Sequence, residues 1–379
     1  VPRRTQIFRR SENSHASRAV NGSAMPAAFN QAMAMLAVGA IGMMALSATT
    51  AGARLSGDSI PFRLADAAGT TAVPGHVRAD VVESGAVPAA APARRPAAPA
   101  RRPAAPAHRA PAHARTHPAR WLPSGTGMWI YEWKRSNGGR PGAVVKRAEQ
   151  VGLTHLFVRT GSSHDGFTGA GVLRAVLPAA TKAHLKVIAW DFPELHHPIA
   201  DARRLAHAAR FVLRHHERVA GVAPDIETAA EGTHSTAAAV RVYLTTLRAL
   251  LPAGTPILAT VPWPSSQRVG RYPYPAVAAR SDALLPMAYW YDNSPSAVTA
   301  ASIRYLSRFH RPVMPVGQGY DGRLDVPWLP HNNLKAQVPA FFATAHRMGV
   351  RAVSLWSWQS SPNVTWRALK SAHRLFPGS

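Results

Sequence analysis

The chain has 379 residues, 44 of them Lys or Arg and 19 Asp or Glu, which gives a formal charge of +25. A hydrophobic fraction of 46% excludes a wholly disordered protein, and the absence of cysteine excludes a disulfide scaffold, thiolate metal sites and a cysteine nucleophile. The positive excess is not confined to a tail: residues 1–120 carry 15 basic and 5 acidic side chains, and residues 121–379 carry 29 and 14.

In chain order, Arg3, Arg4, Arg9, Arg10 and Arg18 precede a stretch that holds no charge until Arg54. Its most apolar part is Ala32–Leu46, and Ala51-Gly52-Ala53 follows with small residues. A basic start, a short apolar core and an A-x-A ending predict a secretory signal peptide over residues 1–53. An uncleaved membrane anchor is the alternative, although the core is short for a bilayer span of about 20 residues. Residues 54–83 are polar and unpatterned. From Ser84 to Arg120 imperfect ARRPAAP repeats take over, and proline at that density prevents helix and sheet. Residues 54–120 are therefore expected to form a disordered, basic Pro/Ala-rich linker. Such a spacer suits adhesion to an anionic cell envelope, and the Ser84–Arg120 run has no aromatic residue to stack on a base, so no nucleic acid partner is expected. The expected location is secreted or envelope-tethered.

Residues 121–379 match the roughly 250 residues of a (β/α)8 barrel. Short apolar runs occur at Met128–Tyr131, Leu156–Val158, Val187–Trp190, Val219–Ile226, Ile257–Val261, Ala283–Ala288, Val313–Val316 and Ala352–Leu355. Helical stretches alternate with them at Gly142–Val151, Val172–Ala183, Ile199–Arg218, Thr236–Leu251, Ala276–Arg280, Ala297–Phe309, Leu334–Met348 and Thr365–Leu375. In the third, Leu205, Ala208, Ala209, Val212 and Leu213 recur at helical spacing, as a helix lying on a sheet requires. Eight strands nearly continuous in apolar residues, each followed by a helix, predict an α/β fold with a parallel sheet covered on its outer face. The fold class is a TIM barrel.

The active face of such a barrel is at the C-terminal ends of the strands. The residues there are Glu132, Arg159, Trp190, Asp191, Asp225, Glu227, Trp263, Tyr289, Trp290, Asp292, Gln318, Tyr320, Trp356 and Trp358. Carboxylates and aromatic rings at nearly every strand end suit a sugar: rings face its C–H surfaces, and carboxylates meet its hydroxyls. The most specific pattern is GVAPDIET, Gly221–Thr228. Strand side chains alternate, so Asp225 and Glu227 point to one side, about 7 Å apart at Cα. Two carboxyls that close oppose each other's ionisation, which leaves one protonated near neutrality. Such a pair provides the proton donor and the negative group of glycoside hydrolysis. A divalent-metal site and a solvated acidic pair are the other readings of D-x-E. The adjacent His196-His197 and His215-His216 pairs point apart and cannot chelate one ion. No dinucleotide or phosphate-binding glycine motif occurs, so no metal and no cofactor is expected.

The fourth-strand Asp225-x-Glu227, the sixth-strand PMAYWYD (Pro286–Asp292) and the eighth-strand SLWSWQ (Ser354–Gln359) resemble those of barrel glycoside hydrolases, the family 25 lysozymes and family 18 chitinases. They are still more similar to a group of uncharacterised actinobacterial barrel proteins. Ala220 and Ala223 stand where the longer chitinase pattern has aspartates, and Trp129 occupies the first strand where the lysozyme pattern has Asp. The resemblance implies Glu227 as general acid/base, Asp225 as its partner and Tyr289 as the group orienting an N-acetyl substituent. Its expected substrate is an N-acetylated polysaccharide or the glycan of peptidoglycan. A non-catalytic glycan-binding barrel is the alternative.

Overall fold

The computed structural model describes residues 121–378; the signal or anchor segment and the linker lie outside them. Eight parallel strands are β1 (Gly125–Ile130), β2 (Leu153–Ser162), β3 (Lys186–Phe192), β4 (Gly221–Pro224), β5 (Leu258–Pro262), β6 (Ala283–Ala288), β7 (Val316–Gln318) and β8 (Ala352–Trp356). A two-residue strand, Gly166–Phe167, pairs antiparallel with the end of β2. The helices are α1 (Pro141–Gln150), α2 (Ala170–Lys182), α3 (Pro198–Arg210), α4 (Ala237–Leu250), α5 (Tyr274–Ala278), α6 (Pro295–Ser307), α7 (Leu334–Arg347) and α8 (Asn363–Ala372).

The ladders run β4-β3-β2-β1-β8-β7-β6-β5. Parallel bridges Val222↔Ile257 and Asp225↔Thr260 join the two end strands, so the ring closes through two contacts rather than a continuous ladder. Both bridges sit at the strand that carries the acidic pair. The barrel predicted from alternation is thus observed.

Side chains fill the barrel in layers. Register pairs Gly127 with His155 and Trp129 with Phe157. A Cβ on Gly127 would lie 2.2 Å from His155 Nε2, so this glycine makes room for the imidazole at the lower end. Above it, Trp129 stacks on Phe157 with centroids 4.1 Å apart and donates through Nε1 to Ser354 Oγ at 2.9 Å. Two residues further along each strand come Tyr131, Arg159, Trp190 and Trp356. The outer core forms between strands and helices. In α4 the buried positions Val240, Tyr243, Leu244 and Leu247 repeat at three- and four-residue steps. Thr236 caps that helix, its hydroxyl accepting from Ala239 N at 3.2 Å. Each such buried leucine or valine contributes about 1.5–3 kcal/mol relative to exposure.

The expected fourth strand, Val219–Ile226, is cut to Gly221–Pro224, and the third helix is shorter too. The third helix ends at Arg210 rather than Arg218, with Phe211 extended and His216 left-handed at φ 66°. Arg210 reaches across to the Leu250 carbonyl (Nε–O 2.9 Å), and Val212, counted in the periodic stripe, is 49% exposed. The stripe loses its support where Arg214-His215-His216-Glu217-Arg218 supplies nothing apolar to bury.

Candidate functional site

A cavity of about 240 Å³ opens at the C-terminal end of the barrel. Its floor is the acidic pair. The Asp225 amide donates to the Asp191 carbonyl at 3.0 Å, and the Ile226 amide donates to Thr260 at 3.2 Å. Tyr272 Oη holds the Ile226 carbonyl from behind at 2.8 Å. The chain then turns into a short 3-10 helix capped reciprocally by Thr228 and Glu231. The Glu227 backbone is therefore fixed from both sides.

Both carboxyls are buried, at 7% exposure each. Asp225 Oδ1 has no hydrogen-bond partner among the described residues. Burial raises the Asp225 pKa to about 7, helped by the negative charges of Asp191 and Glu231 and opposed by Arg159. Glu227 is pushed well above the ordinary carboxylate range by burial, then by Asp225 and Glu231, with Arg268 acting the other way. A pair with these environments keeps a proton on Glu227 at neutral pH while Asp225 is partly ionised, which is what a general acid and its negative partner require.

Aromatic rings wall one side. Tyr131, Trp190 and Trp356 converge there, with Trp190 and Trp356 edge to face at 5.5 Å and Tyr131 5.9 Å from Trp356. Trp190 Nε1 donates to the Ile130 carbonyl at 3.1 Å, which fixes its ring. Arg159 lies 4.8 Å over the Tyr131 ring and pairs with Asp165 at 2.8 Å. The opposite wall is Tyr289, Tyr320, Met287 and Asp325. Tyr289 meets Tyr320 edge to face at 6.3 Å, and Tyr320 and Tyr291 both donate to Asp325 Oδ2. Burial raises the Asp325 pKa, and those two phenols hold it down. At the rim, Glu132 pairs with Arg135 at 2.9 Å.

Of the residues expected at the site, Glu132, Arg159, Trp190, Asp225, Glu227, Tyr289, Tyr320 and Trp356 line this cavity. Six others do not, and strand alternation explains two of them, Asp191 and Trp290. Asp191 follows inward-facing Trp190 and so faces out, fully buried, where Arg204 of α3 pairs with it at 2.7 Å. Burial outweighs that partner and carries the Asp191 pKa up to about 6. Trp290 follows Tyr289 and is buried in the outer core, 5.9 Å from Phe341 of α7. Trp358 is two residues beyond Trp356, past the strand end, and packs on Trp366 while donating to Asn137 Oδ1 at 2.9 Å. Gln318 is fully buried and structural: it accepts from Tyr291 N at 2.8 Å and donates to Asn332 Oδ1 at 2.9 Å. Asp292 is exposed and bonds Asn293; Trp263 packs against the outer core with Arg268 5.9 Å from its ring. None of these six lines the cavity.

The cavity is also lined by Tyr131, Arg135, Phe192, Leu324, Asp325, Ser357 and Ser360, which are not among the expected strand-end residues. Tyr131 was legible, being two residues after inward-facing Trp129. Leu324 and Asp325 belong to the loop after β7, where no periodicity marks a direction. Among the described residues no group of three acids or histidines is arranged to hold a metal ion.

No family model matches the sequence, and no curated protein matches it. Solved structures similar to it include a chitinase from Chromobacterium violaceum, at 12% identity over 66% of this chain and 98% of that one, TM-score 0.47. A family 18 N-acetylglucosaminidase from Paenibacillus barengoltzii has 11% identity over 66% and 99%, TM-score 0.48. A spore cortex-lytic enzyme from Bacillus cereus has 11% identity over 65% and 73%, TM-score 0.47. These neighbours are chitinases and related (β/α)8 hydrolases.

Proposed function

We propose that the protein is an exported glycoside hydrolase acting on an N-acetylated glycan of the cell envelope or the environment. The observation that carries this reading is the buried Asp225/Glu227 pair at the floor of an aromatic-walled cavity, with both pKa values raised. A sugar ring fits against the partly exposed faces of Trp356 and Tyr131, with buried Trp190 backing them, and the glycosidic oxygen then meets protonated Glu227. Glu227 gives its proton to that oxygen, and the electron pair of the breaking C1–O bond leaves with the departing sugar. Positive charge develops at C1 of the retained ring. Asp225 faces that charge, or orients the N-acetyl carbonyl oxygen that closes on C1 in place of a protein nucleophile. Tyr289 supports the acetyl group from the opposite wall. Water then opens the intermediate, its proton passing to Glu227, which is again the acid.

The test is glycan release from chito-oligosaccharides and purified peptidoglycan by wild type and Glu227→Gln. Loss of proton donation by a positioned group costs about 10²–10⁴-fold, so the variant should release little while still binding. Binding without cleavage by the wild type would instead establish a glycan-binding barrel.

A further inference from the structure

On the flank of the barrel a groove of about 630 Å³ runs between α1 and α8. Ala143, Lys146, Arg147 and Gln150 on one helix, and Asn363, Trp366, Arg367 and Lys370 on the other, recur at three- and four-residue steps, so both rows face the groove. At 1.5 Å per residue the two ten-residue helices give it a length of about 15 Å. Four cations line it and no acid does; Glu149, the single acid on the two helices, is not among the lining residues. None of the four has an ion-pair partner among the described residues. The Arg147 guanidinium sits over the Trp366 ring, 4.0 Å from its centroid, and the indole is only 6% exposed. A pre-oriented guanidinium between flexible ammonium groups suits phosphate oxygens.

We propose that this groove binds a linear phosphodiester polymer without bases, a polyol- or sugar-phosphate chain. Single-stranded nucleic acid fits less well, because the only ring in the groove is covered by Arg147 and offers no stacking face. A membrane surface fits less well too, since the groove is concave and has no exposed apolar anchor. The site is separate from the carboxylate cavity, so its occupancy is read without any glycan cleavage.

The experiment uses the full chain with poly(glycerol phosphate) of defined length at 150 mM salt. Amine acylation with and without saturating polymer, read by peptide mass spectrometry, should show Lys146 and Lys370 protected while exposed Lys182 and Lys186 keep reacting. The triple variant Lys146→Ala/Arg367→Ala/Lys370→Ala should raise Kd at least tenfold. A control triple at exposed positions elsewhere, Lys182→Ala/Lys186→Ala/Arg241→Ala, should change it less than threefold. Equal protection of all four lysines, or equal losses from the two triples, would mean attraction to net charge alone and would overturn the proposal. A mixed-sequence oligonucleotide of equal charge that binds the groove more tightly than the polymer would overturn the choice of ligand.

Discussion

At the residue scale the account depends on two carboxyls of unequal acidity, Glu227 keeping its proton while Asp225 ionises first. Glu227 must be protonated to act, so activity should fall as pH rises through its raised pKa. Asp225→Asn removes the like charge that helps raise it and should move that alkaline limb to lower pH. Arg268→Met removes the one charge opposing the shift and should move the limb higher; a pH–rate profile of each variant checks both directions. If the limb ignores both substitutions, the titrating acid is another carboxyl. The same shifts carry a stability cost with a definite sign. The folded state holds these protons more tightly than the unfolded chain, so the stability they contribute is complete below about pH 4 and is lost as pH rises through the raised values. Glu227→Gln should therefore stabilise the protein at pH 8 by on the order of 1–3 kcal/mol and change little at pH 4. Urea unfolding at the two pH values measures the difference, and a variant less stable than wild type at pH 8 would contradict it.

At the scale of the element, period-two alternation decides which aromatic residue touches substrate. Trp356 ends β8 facing the cavity and is partly exposed, whereas Trp290 follows inward-facing Tyr289 and is buried against α7. Trp290→Ala should cost about 3–5 kcal/mol of stability. Trp356→Ala should leave the melting curve nearly in place and weaken glycan binding roughly tenfold, as expected for removing one stacking face from a sugar site. The barrel itself was legible in the sequence because eight apolar runs and eight helical stretches alternate at the right lengths. The Asp225/Glu227 pair was legible because its two members share a parity. Asp191 and Trp290 were misplaced because collecting every residue near a strand end ignores that parity, although Trp190 and Tyr289 supply the phase; Trp358 shares the parity of Trp356 and leaves the wall because the strand ends there. Asp325 was not legible: its place in the wall follows from the loop after β7, held by hydrogen bonds from Tyr291 and Tyr320 that no local pattern announces. The overlong third helix has the same origin, since a polar run can continue a helix or end it, and the contact of Arg210 with the Leu250 carbonyl favours the end.

For the whole molecule, buried groups of opposite kind set opposite limits on pH. His155 sits neutral at the lower end of the barrel, where burial lowers its pKa to about 3. The unfolded chain binds that proton near pH 6.5, so this contribution is intact at higher pH and is lost as pH falls from there toward 3. With Asp225 and Glu227 losing stability as pH rises, the barrel should be most stable in acidic solution. Two buried acids outweigh one buried imidazole over the range where both act, so thermal melts from pH 3 to pH 9 should show a maximum near pH 4 and decline above it, and a monotonic rise to pH 9 would contradict the buried-acid picture. Beyond stability, the design places one acidic, aromatic-walled cavity at the closing edge of a barrel whose surface is strongly cationic. The most direct measurement is a crystal structure of Glu227→Gln soaked with a chito-oligosaccharide. The account predicts a sugar ring against Trp356 and Tyr131, a glycosidic oxygen within hydrogen-bond reach of residue 227, and the N-acetyl group between Asp225 and Tyr289. Sugar bound only outside the cavity, or bound with its glycosidic oxygen away from residue 227, would contradict it.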